Sequence, residues 1–591
     1  MLKMFRYLKV YQWILVILVI GFIFLQVQLD LLLPDYLYDI INIIGDGILL
    51  QTSVTADVLK IGGMMLLVVL GSVVATVVAS FLATRVATKV ASFIRHDLYR
   101  KVQSFSSAEI NQFSTPSLIT RTTNDVLQVQ MAMIFMLRML VSAPITAVSA
   151  ILKVTSINIT LTMIVIYVVS AVIVMVITIF MLVGKKFSLL QRQIDDVNQI
   201  TRETLSGVRV VRAHNAEQVQ EKKFDKINSD VTKTQIFVNT AMSFLNPGMM
   251  LAMNGLNLAV VVVSAFLIND NALGANPFDG LGILAQFTSY GMMILFSFMM
   301  LIMLFIFLPR AWVSAKRIHE VTKTMSSIDD RFADQSLIAP KEDLDIEFKD
   351  VCFKYPHAEE CVIKNISFKA SAGETLAFIG STGSGKSTII HLLLRFYDVT
   401  EGQILINGKN IKAYPLDELN KMMGYVPQQG ILFTGDIESN LKIGRQHAMI
   451  EDIEEAIDIS QIKSFVDEEE DGIHRRIDQG GTNVSGGQKQ RLSIARALIK
   501  KPKIFIFDDS FSALDYHTDK RLRKALKEKT QDALKVIVGQ RIGTILDAEQ
   551  IIVLENGEII GIGTHHHLMD TCPTYQDIAY AQLTKEELAN V

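Results

Sequence analysis

Apolar positions crowd the chain up to Pro309 and thin out sharply beyond it. Upstream lie six apolar runs: Ile14–Leu33, Ile61–Leu82, Met133–Leu152, Ile159–Val183, Leu245–Ile268 and Leu281–Leu308. Each meets the requirement of roughly 20 residues for a helix that crosses a bilayer. Lipid offers backbone amides no water, so every run is expected to be helical. The connections after the second and fourth runs are about 50 and 60 residues long and keep helical periodicity. The spanning helices are therefore expected to continue as stalks that turn back near Ser106–Ser117 and Gly207–Glu217. From Trp312 to Asp343 a polar helix gives way to a linker, with Pro340 as a stop. After Asp345 strand-like and helical patterns alternate, through Thr375–Ile379, Ser387–Phe396, Ile504–Phe507, Val536–Val538 and Ile551–Leu554. That alternation predicts an α/β unit with a largely parallel core sheet. The expected partition is a membrane domain over 1–320, a linker over 321–344 and an α/β domain over 345–591.

Charge orients this pattern. Lys3, Arg6 and Lys9 precede the first run; Arg85, Lys89, Arg95, Arg100, Lys101 and Arg121 follow the second; Lys185, Lys186, Arg192, Arg202, Arg209 and Arg212 follow the fourth. The alternate connections carry Asp35, Asp39, Asp46 and Asp57, then Asp270 and Asp279. By the excess of cations on cytosolic loops, both termini are expected in the cytosol, with the chain in the cell membrane. The first run is long and lacks a small-residue cleavage site, so it reads as a span and not as a signal peptide. Half of the 591 residues are hydrophobic and the mean hydropathy is +0.33, which agrees with a chain partly in lipid. A net charge of −3 argues against nucleic acid as a partner. Cys352, Cys361 and Cys572 lack metal-ligand spacing and read as reduced thiols.

The chemistry gathers in the polar half. Gly380-Ser381-Thr382-Gly383-Ser384-Gly385-Lys386-Ser387-Thr388 follows a predicted strand and opens a predicted helix, the context of a phosphate-binding P-loop. Its glycines let successive N–H groups wrap phosphates at a helix N-terminus. Lys386 would reach the β/γ-phosphates and the Ser387 hydroxyl would ligate Mg²⁺. Ile504–Phe507 ends in Asp508 and Asp509, which places Asp508 at the carboxyl edge of the sheet beside that ion.

Asn483-Val-Ser-Gly-Gly-Gln-Lys-Gln-Arg491, with the P-loop before it and Ser512-Ala-Leu-Asp515 after it, resembles the ATPase cassette of an ABC transporter. Six spans followed by one cassette resemble, over the whole chain, a half-sized exporter of the multidrug type. The resemblance implies two cassettes from two chains that sandwich two ATP molecules, each between one P-loop and the opposite signature. Ser485, Gly486, Gly487 and Gln488 would then serve ATP bound to the partner, and Asp515 would belong to the D-loop. Tyr355 would stack on adenine, and Gln428 would touch Mg²⁺ and the attacking water.

Two positions depart from the family pattern. The catalytic glutamate is replaced by Asp509, one methylene shorter, and the switch histidine by Gln540, which keeps a donor but no cationic form. Loss of well-placed acid/base help costs on the order of 10²–10⁴ in rate. The signature is intact apart from Val484, where leucine is most frequent. The combination resembles the degenerate-site subunit of a heterodimeric bacterial exporter, whose second half-exporter would carry Glu and His at these positions. Small amphipathic or hydrophobic compounds are the expected substrates; lipid or peptide export, and a membrane ATP sensor that transports nothing, are the alternatives. Among weaker signals, Asp30 near the end of the first run reads either as part of a substrate path or as an interhelical hydrogen bond. Methionines of the last two runs, such as Met249, Met250, Met300 and Met303, suit helix packing or an adaptable apolar pocket. His565–His567 read as a helix start, with metal binding as the rival.

Overall fold

The computed structural model describes residues 8–270, 273, 277–340, 344–356 and 358–583. Lys3 and Arg6 of the charge argument, linker residues 341–343 and the end of the chain from 584 lie outside them. The chain forms two compact units, one of residues 1–100 with 119–323 and the other of 101–118 with 324–591.

The first unit is helical, built from α1 (Val10–Leu50), α2 (Thr55–Gln103), α5 (Val126–Ile157), α6 (Ile159–Ser206), α7 (Val208–Ala213), α8 (Glu217–Ser243), α9 (Leu245–Asn269) and α10 (Pro277–Lys323), while α3 (Ser107–Phe113) and the start of α4 (Thr115–Thr120), at the turn after α2, belong to the second. Among the described residues six helical stretches are long and apolar enough to cross a membrane, each running well past its apolar core. In α1, Leu15, Val19, Ile23, Val27 and Leu31 are buried at four-residue intervals, one stripe of a helix, while Ile14, Ile17 and Phe24 are exposed as lipid-facing side chains would be. Buried Ala75, Ala79, Ala83, Ala87 and Ala91 give α2 a thin stripe that admits close helix approach.

Asp35, Asp39 and Asp46 were expected in a connection, yet α1 continues through Pro34 to Leu50. Asp35 is answered inside the bundle: Oδ2 pairs with Lys153 Nζ of α5 at 2.7 Å, and Oδ1 accepts from Gln286 Nε2 at 2.6 Å and Tyr290 OH at 2.7 Å of α10. Polar groups near lipid persist when neighbouring helices satisfy them. Asp30 accepts from Ser72 Oγ at 2.5 Å and from Gln26 Nε2 at 3.5 Å, so the interhelical hydrogen bond is present. The methionines divide: Met249 is buried, whereas Met250, Met300 and Met303 are exposed.

The second unit carries twelve strands among its described residues, in two main sheets and one short pair. β1 (Ile346–Phe353), β2 (Ile363–Ala370), β4 (Glu401–Ile406) and β5 (Lys409–Asn410) form an antiparallel sheet in the order β2-β1-β4-β5. The core sheet runs β12-β11-β3-β10-β9-β6, from β3 (Thr375–Gly380), β6 (Met423–Val426), β9 (Ile504–Asp508), β10 (Leu534–Val538), β11 (Gln550–Glu555) and β12 (Glu558–Gly563). Its first five strands in chain order pair in parallel and β12 closes one edge antiparallel. β9 and β10 are buried at every position, as a sheet covered on both faces requires. β7 (Gly435–Asp436) and β8 (Arg476–Ile477) make the short pair.

The segment 101–118 packs within this second unit. Ser106 and Glu109 cap α3 reciprocally, Ser106 N–H donating to Glu109 Oε2 at 2.9 Å. Glu109 Oε1 also accepts from Ser327 N–H at 3.1 Å, and Asn111 Nδ2 donates to the hydroxyl of Tyr397 at 3.2 Å.

Candidate functional site

The P-loop leaves β3 and enters a helix over Lys386–Leu393, shorter than the expected Ser387–Phe396 because Arg395 takes a left-handed φ of 52°. Two of its glycines are required by geometry. At Gly380, φ 155°, a Cβ would stand 2.1 Å from the carbonyl oxygen of Leu554, and at Gly385, φ 100°, 2.5 Å from Ile363 Cδ1. Lys386 turns back over its own loop, Nζ donating to the carbonyls of Gly380 at 2.9 Å and Ser381 at 2.7 Å and to Ser384 Oγ at 3.3 Å. Burial lowers its affinity for the proton, while Asp509 and Asp508 act the other way. Ser381, Thr382 and Gly383 are exposed at the tip, and Thr388 is buried beneath it.

Because β3, β10 and β9 are adjacent and parallel, their carboxyl ends meet at the P-loop. Ser387 Oγ donates to Asp508 Oδ1 at 3.2 Å. Next along, Asp509 Oδ2 accepts from two amides, Gln428 Nε2 at 3.2 Å and Gln540 Nε2 at 2.8 Å. Burial pushes both carboxyls above the usual aspartate range; Ser387 holds Asp508 back, and Gln428 holds Asp509 back. Asp509 adopts φ 47°, a left-handed conformation that Asp tolerates better than most residues, while its N–H continues the sheet ladder to the carbonyl of Val538 at 3.0 Å. Hydroxyl, carboxylate and amide oxygens of Ser387, Asp508 and Gln428 are the hard donors that suit Mg²⁺, which keeps waters in its remaining positions.

Tyr355 reaches the first turn of the P-loop helix. Its hydroxyl shares a 3.1 Å hydrogen bond with Thr388 Oγ1, and its ring meets Phe353 at 4.9 Å and Tyr397 at 5.2 Å, both edge to face. The structure therefore brings the P-loop together with Asp508, Asp509, Gln428, Gln540 and Tyr355.

The signature stands apart from this group. Ser485 caps the helix Gly486–Leu498 in a capping box with Gln488: Ser485 N–H donates to Gln488 Oε1 at 2.8 Å and Gln488 N–H to Ser485 Oγ at 3.3 Å. Ser485 and Gly486 are exposed, and neither they nor Gly487 and Gln488 line the cavity beside the P-loop. Asp515 caps the helix Tyr516–Lys529, accepting from Thr518 N–H at 3.0 Å. Of His565, His566 and His567, the first is buried and shares a 2.8 Å hydrogen bond with Tyr575 OH at the start of the helix His565–Thr571.

Sequence reasoning placed Asp35 in a connection without its partners Lys153, Gln286 and Tyr290, and it missed Glu109 and also Gln582, which bonds the turn that carries Gln540. Ser106-x-x-Glu109 is a capping-box pattern and could have announced Glu109. The others are joined only by tertiary packing, and no local pattern marks them.

Two family descriptions match the chain: ABC transporter over residues 363–512 and ABC transporter transmembrane region over 16–289. An ABC transporter ATP-binding protein of Mycobacterium tuberculosis is 33% identical over 548 residues, 92% of each chain. YfiB of Bacillus subtilis, another such protein, is 34% identical over 93% of each chain. Among solved structures, a bacterial Atm1-family ABC exporter with ATP bound shares the fold at a TM-score of 0.75 and 22% identity, over 95% of this chain and 97% of that one. An ABC ATPase domain binds ATP, generally with Mg²⁺, and hydrolyses it to drive transport. The chain belongs to the ABC transporter family, as a half-sized exporter with one membrane region and one ATPase cassette.

Proposed function

We propose that this chain is the degenerate-site subunit of a heterodimeric exporter of small amphipathic or hydrophobic compounds, in the cell membrane with both termini cytosolic. The observation that carries the reading is the 2.8 Å hydrogen bond from Gln540 to Asp509, an amide on a short carboxylate where the family pattern has histidine and glutamate. Asp509 is held in place by two amide donors but is one methylene shorter than glutamate, so it is a poor group for reaching and deprotonating a water. ATP binding is retained: the P-loop amides and Lys386 hold the phosphates, Tyr355 stacks on the base, and Ser387, Asp508 and Gln428 hold Mg²⁺. Bound there, the ion would neutralise charge on the phosphates. The exposed, self-capped signature serves ATP on the partner, whose own Glu and His complete the competent site.

The test compares the purified chain with the complex. The chain alone is expected to hydrolyse ATP slowly, and addition of a half-exporter with Glu and His at the two positions to raise turnover severalfold. Robust, cooperative turnover by the chain alone would sink the heterodimer reading. ATP-dependent uptake into vesicles separates an exporter from a sensor, which would move nothing.

A further inference from the structure

The turn that carries Gln540 is held from outside the core sheet. Gln582 stands just past the helix Pro573–Tyr580 and bonds the turn on both sides. Its Nε2 donates to the carbonyl of Gln540 at 2.8 Å, and its Oε1 accepts from the N–H of Ile542 at 2.8 Å. Ile542 opens the helix Ile542–Ile545, so its N–H has no partner within that helix. Thr574, Ile578 and Gln582 recur at four-residue intervals and line, with Ser381, Lys386 and Gln540, a cavity of about 260 Å³ beside the P-loop.

We propose that Gln582 is a positioning residue for the Gln540–Asp509 pair, by which the C-terminal helix sets the rate of chemistry at this ATP site. One side-chain amide fixes the backbone before and after a single residue, Arg541, and so fixes the direction in which Gln540 leaves the turn. A hydrogen bond of 2.8 Å from Gln540 to Asp509 fails once the donor moves by about an ångström, so the pair depends on this restraint. The proposal rests on the reading of Asp509 and Gln540 as the altered chemical groups of the site. It adds a residue beyond the helix Pro573–Tyr580 that acts on the site through Gln540.

The experiment uses the full chain in lipid nanodiscs. In Gln582→Ala, hydrogen–deuterium exchange of the Ile542 amide is expected to quicken about fivefold, with the P-loop helix unchanged. Single-turnover ATP hydrolysis should fall about fivefold while the ATP concentration at half-saturation stays within about twofold. In a Gln540→Ala background, Gln582→Ala should leave the rate where Gln540→Ala put it. An unchanged exchange rate over residues 539–546, faster exchange throughout the cassette, or an equal fall in both backgrounds would overturn the proposal. The absolute rate of the unaltered chain tests the weak-site reading separately, because the ratio between variants is independent of it.

Discussion

The signature segment and the carboxylate edge sit in one unit but satisfy their polar groups in opposite ways. Ser485 and Gln488 answer each other within a single helix start and leave Ser485 and Gly486 exposed. Asp508 and Asp509 are only 5% and 8% exposed, are raised above ordinary aspartate behaviour by burial, and include a left-handed residue. A self-satisfied, exposed loop is free to meet a second molecule. A buried edge holding charge against its own solvation is bound to its neighbours, which is where chemistry or its remnant resides.

The contrast breaks most sharply at Ser485. Ser485→Arg sets a bulky cation where the partner's γ-phosphate would dock, and ATP turnover and transport by the assembled complex are expected to fall about 100-fold or more. Lys386→Ala should weaken ATP at this chain's site about 30-fold, read by photolabelling, yet lower transport only in part. Asp509→Ala should reduce turnover of the complex by about twofold to threefold at saturating ATP, because a site with little chemistry has little to lose. If Asp509→Ala abolished turnover and Ser485→Arg were tolerated, the two regions would exchange roles.

The smallest effect concerns stability. An aspartate whose folded pKa is raised binds more protons folded than unfolded, so stability falls as pH rises from the unfolded pKa through the folded one. Asp509→Asn removes that titration, tolerates φ 47°, and should flatten this part of the pH–stability curve while raising the unfolding midpoint near pH 7 by about 2 °C. Thermal scans across pH check it, and an unaltered slope would mean that Asp509 costs the fold nothing.

The six spans and the parallel core were legible because lipid and a doubly covered sheet each impose a continuous apolar pattern. The P-loop was legible because phosphate binding dictates both residue types and their spacing. The antiparallel sheet β2-β1-β4-β5 was not, since its strands alternate buried and exposed positions irregularly and β1 carries register shifts against both neighbours. The end of α1 was misplaced because Asp35 looks like a loop residue until Lys153, Gln286 and Tyr290 are seen around it. The hydrogen bond of Gln540 to Asp509 joins positions 31 residues apart, and nothing in either neighbourhood announces it.

The knot around Asp35 also sets a schedule for synthesis. Lys153 follows Asp35 by 118 residues and Tyr290 follows it by 255. At about 5–20 residues per second, the cation emerges from the ribosome roughly 6–24 s after the carboxylate, and the tyrosine roughly 13–51 s after it. For that interval α1 carries a carboxylate at the end of its apolar run whose final partners do not yet exist. The newborn helix must wait near water or beside the insertion machinery, and its last turns settle only when α10 arrives.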